Sequence, residues 1–329
     1  MNREKKVNQE AVGVLLIVLS ALFASIYQPY SKILTGSSFS IYLFGAFAFS
    51  GSTIFCLIYF LIELFNNRNN KEKLNLLSSF KDYLFAILSG LFSVGANIFL
   101  LTAMNYSKSA SEVSLFTNFE VIVTITLARI IFKEKVKYYT WIASPFIVIG
   151  AIMLSLDFST GEGISFSLGS LYAIGACFCW ALENNFSKLV SNKNAAQVTC
   201  LKHCIGTVVD FILVFIMAYI SKESIVVSDF NYPLMAFGIG AFSLGLTFIL
   251  YVNAQRRIGT SRSSALYSLS PFLGSLLYLL IMKEKPEWNF YLGAGLIFTG
   301  QLIIMVFTLI NSNNNINNYK KNLTNKIKI

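Results

Sequence analysis

The chain has 329 residues and a net charge of +10, yet only 13% of its residues are charged while 55% are apolar, with 30 Phe and 16 Tyr. That balance excludes an ordinary soluble domain and an intrinsically disordered chain. It also removes the reason to suspect nucleic acid, because cations set between long apolar runs orient a membrane protein.

A helix needs about 20 mostly apolar residues to cross a hydrocarbon core roughly 30 Å thick. In chain order, ten stretches meet that need: 11–34, 40–64, 81–104, 109–132, 138–157, 168–190, 196–221, 231–255, 261–282 and 288–310. Lipid does not tolerate unpaired backbone groups, and these runs are too long and continuous for barrel strands, so all are expected to be helices. The first run is too long for a cleavable signal peptide and no small-residue cleavage pattern follows it. The longest polar pieces are the 66–80 linker and an Asn- and Lys-rich tail, 311–329, whose composition predicts disorder.

With the N-terminus in the cytoplasm, 20 Lys and Arg fall on the cytoplasmic side and 5 on the other, with Lys202 inside a span. The bias fixes the orientation.

The halves repeat. Gly90–Lys135 slid onto Gly240–Lys285 without a gap matches 12 of 46 positions, including Gly90/Gly240, Ser93/Ser243, Gly95/Gly245, Ser111/Ser261 and the triplet Lys133-Glu134-Lys135 on Lys283-Glu284-Lys285. The N-terminal parts of the halves align at an offset of 156, Gly13 on Gly169 and Ser31-Lys32 on Ser187-Lys188, which places the length change in the 66–80 linker. Five helices per copy is an odd number, so the second copy is expected upside down, with the two triplets on opposite faces of the membrane. Duplicated, inverted units of this kind are the internal symmetry of many secondary transporters. The expected fold class is therefore an all-α integral membrane protein of ten transmembrane helices in two inverted five-helix repeats. Residues 1–10 form a cytoplasmic N-terminus, 11–157 the first repeat, 158–310 the second, and 311–329 a disordered basic cytoplasmic tail.

The second half carries Ser263-Ser264-Ala265-Leu266-Tyr267-Ser268-Leu269-Ser270-Pro271, then Glu284, then Gly293, Gly295 and Gly300. In the first half Val121 follows Glu120 where the second half has Pro271 after Ser270, while Glu134 and Gly150 match Glu284 and Gly300, and Trp180-Ala181 stands opposite Ala24-Ser25. This pattern resembles the drug/metabolite transporter superfamily and its ten-helix EamA-type permeases, over 11–310. The resemblance implies secondary transport, often export of amino acids, related metabolites or toxic compounds, through a central pathway lined by both repeats. It implies a multi-pass protein of the plasma membrane, the inner membrane in a bacterium.

Polar groups inside apolar spans are the candidate site, because an ionised side chain at mid-bilayer costs roughly 2.5–3.5 kcal/mol on insertion scales and turns toward protein or water. Glu120, with Thr117 and Thr124 at helical spacing, makes a stripe on the fourth span: a proton or substrate-amine site, or a neutral carboxyl holding helices together. On the sixth span Glu183 follows Trp180 by three and precedes Asn184, an arrangement suited to a cationic or amphipathic solute; alternatively Trp180 packs and Glu183 pairs with a Lys. Asn97 and Thr247 are repeat partners on the third and eighth spans, with Tyr251 one turn further, and both can equally be packing groups. Tyr27, beside Pro29, is the repeat partner of Glu183, and Tyr267 lies in the small-residue run of the ninth span. His203, Thr207 and Asp210 share a face of the seventh span, where Lys202 could pair with Asp210 or reach the cytoplasm; a structural cluster is the plainer reading.

No cofactor is expected, since no phosphate-binding Gly-Lys-Ser/Thr loop is present. The five cysteines all fall in spans, and Cys200, His203 and Cys204 make a weak case for a metal, so none is expected. Expected partners are a small-molecule solute, protons as coupling ion, and the bilayer, with homodimerisation left open. Two other classes compete. A membrane-embedded enzyme would gather His and acids at one face, and a chain with one His is not expected to be an enzyme. A receptor or scaffold would not explain the duplication.

Overall fold

The computed structural model describes residues 3–35, 39–70, 74–106, 117, 119–131, 133–155, 168–221, 229–283 and 288–327. Among them there is helix and no strand. Residues 109–116 of the expected fourth span, together with Glu284 and Lys285, lie outside the described residues.

The first span is two helices, α1 (Arg3–Ala24) and α2 (Tyr27–Thr35). The break at Ser25 and Ile26 comes just before Pro29, which has no N–H to donate and fits best in the first turn of a helix. Two long helices follow, α3 (Ile41–Asn70) and α4 (Phe80–Tyr106), then the shorter α5 (Glu120–Ile130) and α6 (Tyr138–Ser155). The polar-loaded α7 (Leu168–Leu189) and α8 (Ala195–Ser221) come next. The eighth span is composite. It runs from α9 (Asn231–Gly240) through a π-helical segment (Ala241–Leu246) into α10 (Thr247–Ile258). The ninth is broken again, α11 (Thr260–Tyr267) and α12 (Leu269–Met282), two residues ahead of Pro271, and α13 (Trp288–Ile327) closes the chain. The tail expected to be disordered instead continues α13 as helix to Ile327. Extending an existing helix adds a hydrogen bond for each residue fixed and avoids the cost of nucleation.

Among the described residues, six helical stretches are long and apolar enough to cross a membrane: Gln9–Ser31, Tyr42–Asn67, Phe80–Leu100, Ala195–Ile220, Asn231–Ile258 and Trp288–Phe307. The other four expected spans correspond to α5, α6, α7 and the α11–α12 pair. α7 falls short on apolarity because Glu183, Asn184, Asn185 and Lys188 crowd its second half.

Packing joins α4 to α7, α3 to α8, α6 to α13 and α1 to α10, with α5 against α7 and α11 and α12 against α1. Apolar side chains of α1, α5, α6, α10, α11 and α13 meet in one cluster that includes Ile17, Ile125, Ile147, Tyr251, Leu266 and Ile304. Without water between helices, close approach depends on small residues. A Cβ on Gly240 would lie 1.9 Å from the Ala48 carbonyl oxygen of α3, and one on Gly90 would lie 2.9 Å from the Lys202 carbonyl oxygen of α8. Both glycines are contact points between helix backbones.

Two turns match across the halves. Lys133 (φ 51°) and Lys283 (φ 55°) are the only non-glycine residues with positive φ among those described. Only an L-residue held by its surroundings adopts that conformation, which costs roughly 1–2 kcal/mol. The Glu134 carboxylate accepts from the backbone N–H of Thr260 at 3.2 Å and of Ser261 at 3.3 Å, capping α11. Gly259 immediately before, at φ +85°, provides the turn that lets α10 end and α11 begin.

Candidate functional site

α7 is the hub. Its first half presents Gly169, Ser170, Ala173, Ala176, Cys177 and Ala181 to the interior, so α4 packs closely along it. Its second half buries four polar residues within five positions, Glu183, Asn184, Asn185 and Ser187. Successive residues on a helix point about 100° apart, so these side chains reach different neighbours. Glu183 points to α8, where its carboxylate pairs with the Lys202 ammonium; both residues are almost fully enclosed, at 1% and 2% exposure. Asn184 points to α5 and donates its amide to the Glu120 carboxylate at 2.9 Å. Asn185 donates to the Thr124 carbonyl, and the hydroxyls of Ser187 and Ser89 on α4 are 2.7 Å apart. From α10, Gln255 donates to the Asn184 carbonyl at 2.8 Å. Four helices are tied to one turn of α7.

An aromatic file runs beside the ion pair. The Lys202 ammonium sits 3.4 Å from the centre of the Phe248 ring, a cation–π geometry. Phe248 meets His203 edge-on at 5.1 Å and Tyr251 at 6.0 Å, and Tyr251 meets Tyr267 edge-on at 5.1 Å. Tyr251 and Tyr267 lie within electrostatic reach of both Glu120 and Glu183. His203 Nδ1 is hydrogen-bonded to the Ser52 hydroxyl, and its ring also faces Phe49 of α3. His203 Nε2 and Asp210 Oδ2 take no hydrogen bond within the described protein, and the Glu183 carboxylate and the Tyr251 hydroxyl have spare capacity beside the Ser93 and Ser264 hydroxyls. Buried polar atoms ordinarily find partners, so a concentration of open donors and acceptors suits a polar visitor.

The sequence candidates divide into three groups. Glu120, Glu183, Asn184, Tyr251 and Tyr267 come together as described. Asn97 belongs to a second group: a Cβ on Gly45 would meet the Asp210 carboxylate at 2.8 Å and the Asn97 amide at 3.2 Å, so these groups converge on α3. Tyr27 meets the Phe44 ring at a tilt of 58°, centres 5.3 Å apart, and lies in electrostatic reach of Asp210. Thr247 lies at the α1 contact: its carbonyl accepts from the Ser20 hydroxyl at 3.0 Å, and its own hydroxyl faces the Ser20 carbonyl at 3.4 Å. Trp180 lies half-buried one turn before Glu183 and Asn184, while the ring held against the charge is Phe248.

Lys202 pairs with Glu183 and neither with Asp210 nor with the cytoplasm, which corrects one expectation for the seventh span. His203, Thr207 and Asp210 do share a face, turned to α3 through Ser52, Thr53 (3.2 Å from Thr207) and Gly45. Lys202, His203, Asp210, Phe248 and Ser52 are thus central polar and aromatic groups that the candidate set lacked. One signal was available, since a Lys inside an apolar span requires a buried partner. The π-helical segment one residue before Thr247 and two before Phe248 was not legible, although such segments are frequent at functional sites.

The profile of the EamA-like transporter family matches residues 11–156 and 167–306, once in each half. An uncharacterized transporter of Methanothermobacter thermautotrophicus is 28% identical over 282 residues, 83% of this chain and 80% of that protein. A probable amino-acid metabolite efflux pump of Escherichia coli is 24% identical over 217 residues, 64% of this chain and 72% of its own length. A solved crystal structure superposes with a TM-score of 0.72 over 90% of this chain and 96% of its own at 15% identity, a likeness of fold alone.

Proposed function

Because the chain belongs to the EamA-like transporter family, we propose that it exports a small zwitterionic metabolite, an amino acid or a close relative, by alternating access between two inverted five-helix repeats, with protons as the counter-ion. The observation that carries this reading is the enclosed Glu183–Lys202 pair with the Glu120 carboxylate beside it. Two buried opposite charges stabilise the protein only weakly against an apolar pair of the same shape, so their presence points to use. A zwitterion brings its own ammonium and carboxylate. Its ammonium takes the place of Lys202 at Glu183, near Glu120, and its carboxylate takes the place of Glu183 at Lys202, so neither internal charge is left alone. The aromatic file from Phe248 to Tyr267 offers a wall for the apolar part of the solute.

Coupling follows from competition. A proton and a substrate ammonium cannot occupy the same carboxylate oxygen, so the site carries one or the other across on each half-cycle. Tyr27, Asn97 and Asp210 extend the polar route, while Trp180 and Thr247 border it. The ten-span, inverted arrangement is supported by the packing, in which α4 with α7 mirrors α10 with α1, and α5 with α7 mirrors α11 and α12 with α1.

Purified protein in liposomes tests the mechanism. Amino-acid flux should respond to an imposed pH gradient, and Glu120→Gln should lose the gradient-driven part while retaining exchange. Wild-type flux indifferent to the gradient would remove the proton and leave both glutamates structural. Impermeant thiol labels on single cysteines at positions 134 and 284, in a cysteine-free background, should mark opposite membrane faces; labelling from one face removes the inverted repeat.

A further inference from the structure

Away from this core, a cavity of about 280 Å³ opens where the α5–α6 turn meets the ends of α7 and α10 and the start of α11. Its walls carry six cations, Lys135, Lys137, Lys188, Arg256, Arg257 and Arg262, and one carboxylate, Glu134. The only other acid within ion-pair distance of these groups among the described residues is Glu10, 4.0 Å from Arg262. Four of the cations are held by backbone carbonyls: Lys188 by Gln255, Arg256 by Ser191 and Lys193, Arg257 by Asn253, Arg262 by Ile258. A carbonyl fixes a cation in place and leaves its charge uncancelled. Glu134 cannot serve the cations fully, since its two oxygens already accept from the N–H groups of Thr260 and Ser261.

Two donors complete the arrangement. Ser261, 1% exposed, lines the cavity with a hydroxyl that takes no hydrogen bond, and the buried Nε of Arg257 is likewise without an acceptor. Preorganised positive charge, an idle hydroxyl and an idle guanidinium N–H together call for an oxyanion with several acceptor oxygens, the ligand that Arg and Lys clusters recognise best. Carboxylates present two oxygens in one plane; phosphates present them on several sides, matching donors that come from α7, α10, α11 and the α5–α6 turn. We propose that this cavity binds a phosphate group, carried either by the headgroup of an anionic lipid or by a soluble phosphate compound. Basic pockets between membrane helices are known to take lipid headgroups, and the cavity lies on the side to which the basic residues of the chain are biased. Occupancy would brace the junction of α10 and α11 against the α5–α6 turn, adding to the Glu134 cap and the packing of Val136.

The test uses the full chain in phosphatidylcholine nanodiscs, with thermal unfolding as readout, in two arms at constant ionic strength. One arm replaces phosphatidylcholine stepwise with phosphatidylglycerol, and the other adds inorganic phosphate. A saturable rise in Tm is expected in at least one arm, and which arm responds identifies the source. Lys135→Gln with Lys137→Gln, both exposed positions, should weaken the apparent affinity about tenfold, equivalent to 1.4 kcal/mol. Ser261→Ala should weaken it without lowering the Tm of the ligand-free protein, because the hydroxyl it removes makes no bond. Lys283→Gln, which removes one positive charge at the repeat-equivalent turn, should leave the affinity unchanged. No rise in either arm, a rise that chloride reproduces, or an equal loss in Lys283→Gln would overturn the site.

Discussion

Gly90 in the first half and Gly240 in the second stand 150 residues apart in the sequence and at equivalent crossings in the fold, each pressed against the backbone of a helix from the other half. Lys133 and Lys283 repeat the same left-handed turn. The buried charges do not repeat. Lys202, His203 and Asp210 on α8 correspond, at the offset of 156, to Ala46, Phe47 and Ile54 on α3, and Glu183 corresponds to Tyr27. Duplication kept what sets helix crossings and let the polar groups diverge, so one half supplies most of the ionisable chemistry and the other a mostly neutral wall with Glu120. Regularity does not follow that division: α4 in the first half is unbroken where its counterpart carries a π-helical segment, whereas α7 in the second half is unbroken where its counterpart splits into α1 and α2.

The sharpest break in the comparison is at the ion pair. Glu183→Gln leaves Lys202 enclosed without its counter-charge, and removing one partner of a buried pair costs about 3–5 kcal/mol. The resulting drop in Tm, followed by thermal unfolding in detergent, should exceed that of any other single substitution in the polar core. Adding Lys202→Met should recover most of the stability yet no transport. Recovery of both would reduce the charged half to scaffold, equal in kind to the neutral one.

The glycines give a graded test of the shared part. Gly240→Ala drives a Cβ into a carbonyl oxygen at 1.9 Å, Gly90→Ala meets one at 2.9 Å, and Gly295→Ala meets nothing within 4 Å. Overpacking costs about 1–3 kcal/mol, so loss of Tm should fall in that order and vanish for Gly295. Equal effects at all three would mean that the crossings are not where helices limit one another.

Much of this architecture is legible in the sequence. Gly90, Gly240 and the Lys-Glu-Lys triplets repeat because backbone contact and tight turns restrict which residues fit, and such restrictions leave identities behind. Pro29 and Pro271 likewise announce breaks near their positions. Lys202 cannot be assigned its partner in the same way. Whether it meets Glu183 or Asp210 depends on how α7 and α8 are rotated against each other, and in nearly uniformly apolar helices the hydrophobic pattern does not fix that rotation. Phe248 is hidden for a related reason: one phenylalanine among 30 carries no mark of lying beneath a cation. Thr247 illustrates the converse, a residue singled out by repeat symmetry that spends its hydrogen bonds on Ser20.

The smallest expected effect probes the turns. A lysine at φ near +50° bears a conformational cost of roughly 1–2 kcal/mol that glycine does not, and glycine gives back about 0.5–1 kcal/mol through the greater freedom of the unfolded chain. Lys133→Gly and Lys283→Gly should therefore each raise stability slightly, by up to about 1 kcal/mol, and by similar amounts if the turns are true equivalents. Their environments differ, because Lys133 precedes the Glu134 cap on α11 and a basic cavity. Removing the Lys133 charge also relieves repulsion there, so its gain at low salt should exceed that of Lys283→Gly, and the excess should fade as added salt screens the cations. A gain at Lys133 that persists undiminished in high salt would assign the whole difference to backbone strain and make the two turns unequal in conformation as well as in charge.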